Sequence, residues 1–330
     1  AMRGHQLLMV IRSGAEIEKL LLEAMQEYPN IQYKQIRVWG DYDVLAKKKV
    51  RKIVEDFGAD AIIARGNRAV RIFKKEAAKV APLIAGTPNY RFKSLIGIQG
   101  IVASTEDMKK AIIAAGHPLD DIWLLPNSLE VEDFNTNRET AFHSPVVIGT
   151  MGRMVRKKGF HIFIEALHLL DQQGYDFKAK IGGSGEEMPE LSGLVRQYRL
   201  EDKVEFEGWI DNKKAFFERL DIFVLPSLHE PFGNIMLEAF AAKMPVISSD
   251  SEGPSEIGEQ GKDCLFYSRE DAAGLSENMK TLLLNEQQAG KLAENAFSKV
   301  NENYNFSVFA DRLENVVKTV VARYGKAAAH

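Results

Sequence analysis

Short apolar runs recur along this chain, and a stretch of helical periodicity separates most successive pairs. The runs fall at residues 6–11, 36–38, 60–64, 83–85, 100–103 and 122–125, then at 146–151, 178–181, 204–206, 222–225, 246–248 and 264–266. Between them lie amphipathic stretches at 15–28, 44–57, 68–80, from Ser104 onward, and at 160–170, 188–198 and 212–219. Further helices are expected over 270–283, 286–303 and 307–324. A strand that reaches the next through a helix returns to the same end of the sheet, so the strands run parallel and helices cover both faces. The pattern predicts an α/β fold. On the first helix the spacing turns Leu20, Leu21, Ala24 and Met25 inward.

A chain of 330 residues is too long for one ordinary core. The polar, unpatterned segment EDFNTNRETAFHSP, residues 132–145, reads as the break. It divides a domain at 1–135 from one at 146–305, with 136–145 as linker and a last helix in 306–330. Residues 1–110 hold 20 basic and 12 acidic side chains, an excess of eight. The whole chain has a net charge of −3, so the remainder carries −11. A basic first domain reads as a solvated surface or as a face for an anionic membrane or acceptor, and no nucleic-acid partner is expected. No apolar run approaches the roughly 20 residues that span a bilayer, and no signal peptide opens the chain. One cysteine, Cys264, excludes a disulfide framework and a cysteine metal cluster, which fits a cytoplasmic protein.

The densest information lies in LPSLHEPFGNIMLEAFAAKMPVISSDSEGPSEI, residues 225–257. A buried strand ends at Pro226, a polar loop follows, and Asn234 stands where it can cap a helix carrying Ile235, Met236, Leu237, Ala239 and Phe240. Free amides of Phe232, Gly233 and Asn234 at that helix start would suit an anionic or hydroxyl-rich ligand. Glu230 precedes the helix and Glu238 lies within it, so two carboxylates are available to two parts of one polyol. They equally read as one solvated loop residue and one solvated helix residue.

Two Glu separated by seven residues around a Pro-Phe-Gly loop, followed by PVISSDSEGPSEI, resemble the signature of retaining glycosyltransferases of family 4. The resemblance is to bacterial members that build lipopolysaccharide and other surface glycans. It implies the GT-B fold, two Rossmann-like domains facing across a cleft, with the last helix crossing back to the first domain. The implied activity is metal-independent transfer of a hexose, with retention, from a UDP-, GDP- or ADP-sugar to a glycan or lipid-linked acceptor.

In the same way, GR…KG resembles the family's diphosphate clamp and makes Arg153 and Lys158 the cations on the leaving diphosphate, with Gly152 and Gly159 giving backbone room. Arg156 and Lys157 read as solvated surface. The resemblance further implies that Glu238 binds the ribose diol. Glu230, with the amides of Phe232, Gly233 and Asn234, would hold the sugar. The turn with Gly183 and Gly185 lines the donor cleft, and Trp209 and Ile210 meet the nucleobase, although Trp209 suits a core position as well. His229 would touch the sugar or pack locally. Asp41-Tyr42-Asp43 spells the DxD signature of the metal-dependent glycosyltransferase fold, but reads more simply as a helix cap; no metal ligands and no cofactor are expected.

The match departs from the family in two places. The first βα unit of the N-terminal domain is missing from the pattern, which would leave a sheet edge for a second copy or a partner chain to cover. Pro88 stands where the family has a sugar-contacting His, which leaves Asn89 and Arg91 as acceptor-side candidates. These gaps favour a rival reading, nucleotide-sugar binding without turnover unless a partner is present, and the shared fold allows another, a GT-B nucleotide-sugar epimerase.

Overall fold

The computed structural model describes residues 3–13, 17–40, 43–88, 90–136 and 141–325. The chain forms two compact units, one of Ala1–Ala103, Met108–Leu124 and Leu313–His330, the other of Ser104–Asp107 and Leu125–Arg312.

The first unit begins with β1 (Leu7–Arg12), α1 (Glu18–Glu27), β2 (Ile31–Ile36) and α2 (Val44–Phe57). Next come β3 (Ile62–Arg65), α3 (Asn67–Phe73), β4 (Leu83–Gly86), β5 (Gly100–Ala103), α4 (Glu106–Ala114) and β6 (Ile122–Leu124). All its strand pairs are parallel, in two separate sheets of order β1-β2 and β3-β4-β5-β6. Three local expectations are corrected. The strand expected at 36–38 lies at 31–36, where IQYKQI pairs residue for residue with β1; its alternation was hidden because the outward positions are Gln32 and Lys34. On α1 it is Leu21 that is buried, while Leu20 is 63% exposed, because the inward stripe passes one position to its side. The helix expected over 68–80 ends at Phe73 and gives way to a 3₁₀ turn at Ala77–Lys79 that buries Ala77.

The second unit carries β7 (Val146–Met151), α5 (Phe160–Gln172), β8 (Phe177–Gly182), α6 (Met188–Gln197), β9 (Val204–Gly208) and α7 (Lys213–Phe217). It continues with β10 (Ile222–Leu225), α8 (Asn234–Ala241), β11 (Val246–Ser249), α9 (Pro254–Ile257), β12 (Leu265–Tyr267), α10 (Ala272–Leu283) and α11 (Glu286–Asn303). Six parallel strands are ordered β12-β11-β10-β7-β8-β9. Ile222 and Val224 of β10 enter one apolar cluster with α5, α6 and α10, whereas Phe223 and Leu225 enter a second with α7 and α8. Alternate residues of a strand face opposite sides, so the sheet is covered on both faces. Phe160, Phe163 and Phe177 in the first cluster and Phe216, Phe217, Phe223 and Phe240 in the second are fully buried, each worth roughly 1.5–3 kcal/mol of transfer free energy.

The long segment of the second unit starts at Leu125, ahead of the segment expected as linker. Polar composition there conceals real anchoring. Val131 is buried, Thr136 donates to the Ala242 carbonyl at 2.8 Å, and His143 Nδ1 meets the buried Asp221 carboxylate at 2.9 Å. The last helix, α12 (Phe306–Tyr324), belongs to the second unit as far as Arg312 and to the first from Leu313. Within the first unit Val316 and Val320 pack with Ile84, and Arg323 donates to the Asp120 carbonyl and the Asp121 carboxylate at 2.6 and 3.0 Å.

Candidate functional site

In the second unit the chain leaves β7 for β8 and β9 on one side and returns through β10, β11 and β12 on the other. The connections after β7 and β10 therefore diverge, and ligands of open parallel sheets bind where such divergence opens a crevice beyond the strands' carboxyl ends. The segment after β7 holds Gly152–Gly159, and the segment after β10 holds Pro226–Gly233.

Backbone contacts lock the first segment against the turn after β8. Gly152 N donates to Gly182 O at 3.0 Å and Met154 N to Ser184 O at 2.9 Å. Gly183 has φ +120, and a Cβ there would lie 1.9 Å from Gly152 O; one on Gly185 would lie 2.3 Å from Met154 O. Both glycines are demanded by the close approach. The backbone room expected at Gly152 is not a steric need, since a Cβ there would meet only Phe160, at an ordinary 3.7 Å. Gly159 does need it, with Pro226 O 1.8 Å from its would-be Cβ.

Across the same region Lys158 Nζ forms an ion pair with Glu230 Oε2, the side chains being 23% and 13% exposed. Leu228 N and His229 N both donate to Lys157 O, at 2.8 and 3.2 Å, so a residue read as surface anchors one loop to the other through its carbonyl. Glu230 is held by its backbone as well: its amide donates to Glu252 Oε2 at 3.1 Å and its carbonyl accepts from Gly253 N at 2.9 Å. Glu252 in turn meets His229 Nδ1 at 2.8 Å and Arg269 Nη1 at 3.3 Å. Burial alone would raise the Glu252 pKa, but hydrogen bonds from backbone amides and His229 outweigh it and leave the carboxyl lowered. His229 Nδ1 is therefore engaged with Glu252.

The start of α8 differs from expectation in one detail. Gly233, at φ +98, is the N-cap, and Asn234 is the first helical residue, its Oδ1 accepting from Asn127 Nδ2 at 2.9 Å. A glycine caps here because the chain must turn through the left-handed region, which Asn234 would enter at a cost. The amides of Phe232, Gly233 and Asn234 donate to no acceptor among the described residues.

Glu238, its side chain 14% exposed, receives Lys213 Nζ on both oxygens at 2.8 Å. Burial pushes its carboxyl upward, and Lys213 offsets part of that rise. Trp209 is 76% exposed, with Nε1 donating to Asp211 Oδ1 at 2.8 Å, which overturns the core alternative. Ile210 packs at the edge of the second apolar cluster. Arg153 is exposed and makes no ion pair with a described residue, whereas Arg156 meets Glu190 at 3.4 Å on the surface.

Sequence reasoning did not find Lys213, Glu252 or Asn127. Each acts on a residue distant in sequence, and although Glu252 lies within the PVISSDSEGPSEI stretch, nothing local shows that it meets His229 and the Glu230 amide. In the first unit Pro88 and Arg91 are exposed, and Asn89 lies outside the described residues. Asp43 caps α2, accepting from Ala46 N at 2.9 Å and Trp39 N at 3.0 Å; Asp41 lies outside the described residues. Among the described residues no group of three or more His, Cys, Asp or Glu side chains is placed to hold a metal ion, and no helix is long and apolar enough to cross a membrane.

Residues 131–299 match the family model described as glycosyl transferases group 1. The chain belongs to that family. One relative is the lipopolysaccharide core biosynthesis glycosyltransferase LpsE of Rhizobium meliloti (strain 1021), 35% identical over 156 residues. The match takes in 47% of this chain and 44% of LpsE, so the chain spans less than half of that relative's length. LpsD of the same organism is 29% identical over 242 residues, 72% of this chain and 69% of that one. In fold the chain resembles HepE of Anabaena, crystallised with UDP, at a TM-score of 0.80 and 18% identity over 95% of this chain and 100% of that one. The apo lipopolysaccharide outer core galactosyltransferase WaaB gives 0.75 and 15% over 95% and 99%. At these identities the likeness is one of fold, and the fold is that of the GT-B glycosyltransferases.

Proposed function

We propose that this chain moves a hexose from a nucleoside diphosphate sugar to a glycan or lipid-linked acceptor, with retention and without a metal ion, as a family 4 enzyme of bacterial surface-glycan synthesis. The observation that carries the reading is the meeting of Lys158 with Glu230 beside the undonated amides of Phe232, Gly233 and Asn234 at the switch point of the second unit. Amides at a helix start favour an electron-rich ligand, and a cation beside them favours one that gains negative charge as it reacts. A diphosphate leaving a sugar is such a ligand. In this reading Arg153 and Lys158 take the diphosphate, Glu230 and the amides take the sugar, Glu238 takes the ribose diol, and Gly183, Gly185, Trp209 and Ile210 line the nucleotide.

The acceptor hydroxyl attacks the anomeric carbon on the face from which the diphosphate departs. The new C–O bond forms as the old one breaks, and the hydroxyl proton passes to the departing phosphate oxygen. The names of LpsE and LpsD favour a lipopolysaccharide-core acceptor, and HepE, crystallised with UDP and glucose, favours a uridine nucleotide. Such an acceptor would place the protein at the cytoplasmic face of the membrane, with Arg91 and Asn89 on the acceptor side. The open strand edges of the first unit would suit a second copy or a partner chain.

A thermal-shift comparison of UDP-, GDP- and ADP-hexoses selects the donor, and NMR of the product in EDTA then reports transfer and anomeric configuration. We expect retention, no effect of EDTA, and a loss of about a hundredfold in rate for both Glu230→Ala and Lys158→Ala. Near-normal rates in both variants would remove the site assignment, an inverted product would remove the mechanism, and loss in EDTA would restore a metal. Pro88, which offers no side-chain hydrogen bond, favours a second reading: donor binding without turnover. Calorimetric binding of the donor with neither transfer nor hydrolysis would establish it, and an altered sugar configuration without any acceptor would indicate an epimerase.

A further inference from the structure

We infer that Lys213 is a positioning residue for Glu238, holding that carboxylate ionised and aimed so that each oxygen keeps one lone pair for one hydroxyl of a ribose diol. The inference rests on the reading above, in which Glu238 receives the ribose, and adds a residue to it.

The geometry is specific. Asn212 caps α7 by accepting from Ala215 N at 3.0 Å, which fixes Lys213 as the first residue of that helix. From there Nζ reaches both Glu238 oxygens at 2.8 Å, one donor to each. A carboxylate offers about four lone-pair sites, two per oxygen, and an ammonium donates three hydrogens. The pair therefore uses one site on each oxygen and leaves one on each, which matches two vicinal hydroxyls, one to each oxygen. A lone surface lysine would swing among many partners, but Glu238 is 14% exposed and fixes where this ammonium ends.

The same burial endangers the function. Desolvation favours the protonated carboxyl, and a protonated Glu238 would donate where it must accept. Helix α11 and the turn Val131–Asp133 also pack on α8, yet Lys213 is the one charged group that acts on Glu238 among the described residues. Removing it leaves burial unopposed. Glu238 then protonates at a higher pH, and the ribose preference becomes pH-dependent.

The test is calorimetric binding of UDP, GDP and ADP, each beside its 2′-deoxy counterpart, at about pH 6 and about pH 8, to wild type, Lys213→Met, Lys213→Arg and Glu238→Gln. Wild type is expected to prefer a ribonucleotide by about tenfold at both pH values, the weight of one hydrogen bond to a charged group. Lys213→Met should lose that preference at the lower pH and regain it at the higher. Lys213→Arg should restore it at both, and Glu238→Gln should abolish it at both. A flat, full preference in Lys213→Met would overturn the inference and leave Glu238 in place. Loss at every pH would make Lys213 a direct ribose ligand, which also overturns it. A preserved preference in Glu238→Gln, or binding of none of the three diphosphates, would remove the underlying reading as well. Unfolding curves for Lys213→Met that match wild type separate positioning from a structural defect.

Discussion

Opposite charges meet in this protein in settings that give them different consequences. Lys158 with Glu230 and Lys213 with Glu238 lie at the proposed donor site, where a ligand competes for the same atoms. Glu207 has no such competitor. Its side chain is 9% exposed, Lys180 donates to it at 2.8 Å, and Arg219 grips both oxygens at 2.7 and 2.5 Å. Burial would raise its pKa, but the two cations outweigh burial and hold it below the ordinary value of 4.5. A carboxyl whose folded pKa is lowered adds stability above the unfolded pKa and loses it as pH falls through the folded one. Below about pH 4.5 wild type should therefore lose a contribution of about 1 kcal/mol that Glu207→Gln lacks at every pH. Melting temperatures from pH 6 down to pH 3 check this; parallel curves for the two proteins would contradict it.

Among the elements, the turn after β8 is the most constrained by its neighbours. At Gly183 a side chain would meet Gly152 O at 1.9 Å, and the backbone already stands at φ +120. Gly183→Ala should destabilise by about 3–5 kcal/mol or prevent folding, the range of severe backbone defects. Gly193, inside α6 with nothing within 4 Å of its would-be Cβ, is the control, and Gly193→Ala should stabilise by about 0.5–1 kcal/mol. Urea unfolding measures both, and equal effects would show that close approach is not what fixes Gly183. The sequence showed this turn as GGSG because glycine is a local signal. It showed α2 and its Asp43 cap for the same reason, since a cap acts within four residues. It misplaced β2, because a strand whose outward positions are polar has no apolar run, and its identity comes from pairing with β1. Likewise Thr136 looked like linker until its bond to Ala242 was seen, a contact spanning more than a hundred residues.

At the scale of the whole molecule, the excess of positive charge and most of the exposed apolar surface lie in the first unit. Trp39, ahead of α2, is 89% exposed, and on α2 Leu45 is 80% exposed and Lys48, Lys49 and Lys52 are exposed as well. Aromatic and aliphatic side chains next to lysines suit the boundary of an anionic bilayer, where each cation contributes about 1 kcal/mol. The protein should sediment with phosphatidylglycerol vesicles at low salt and be released as ionic strength rises. Combined Trp39→Ala and Leu45→Ala should weaken binding about tenfold. Equal affinity for neutral phosphatidylcholine vesicles, or none for either, would dismiss the membrane role. The fold class, the two parallel-sheet units, the loops that carry Arg153, Lys158 and Glu230 and the helix that carries Glu238 were determined by sequence alone, because hydrophobic period and turn chemistry act between near neighbours. Which lysine meets which glutamate, that Glu252 and Asn127 brace the same loops, and that Trp209 stands in solvent were decided only by the tertiary structure. Those facts depend on how six strands order themselves in one sheet, and strand order brings together residues that no local pattern relates.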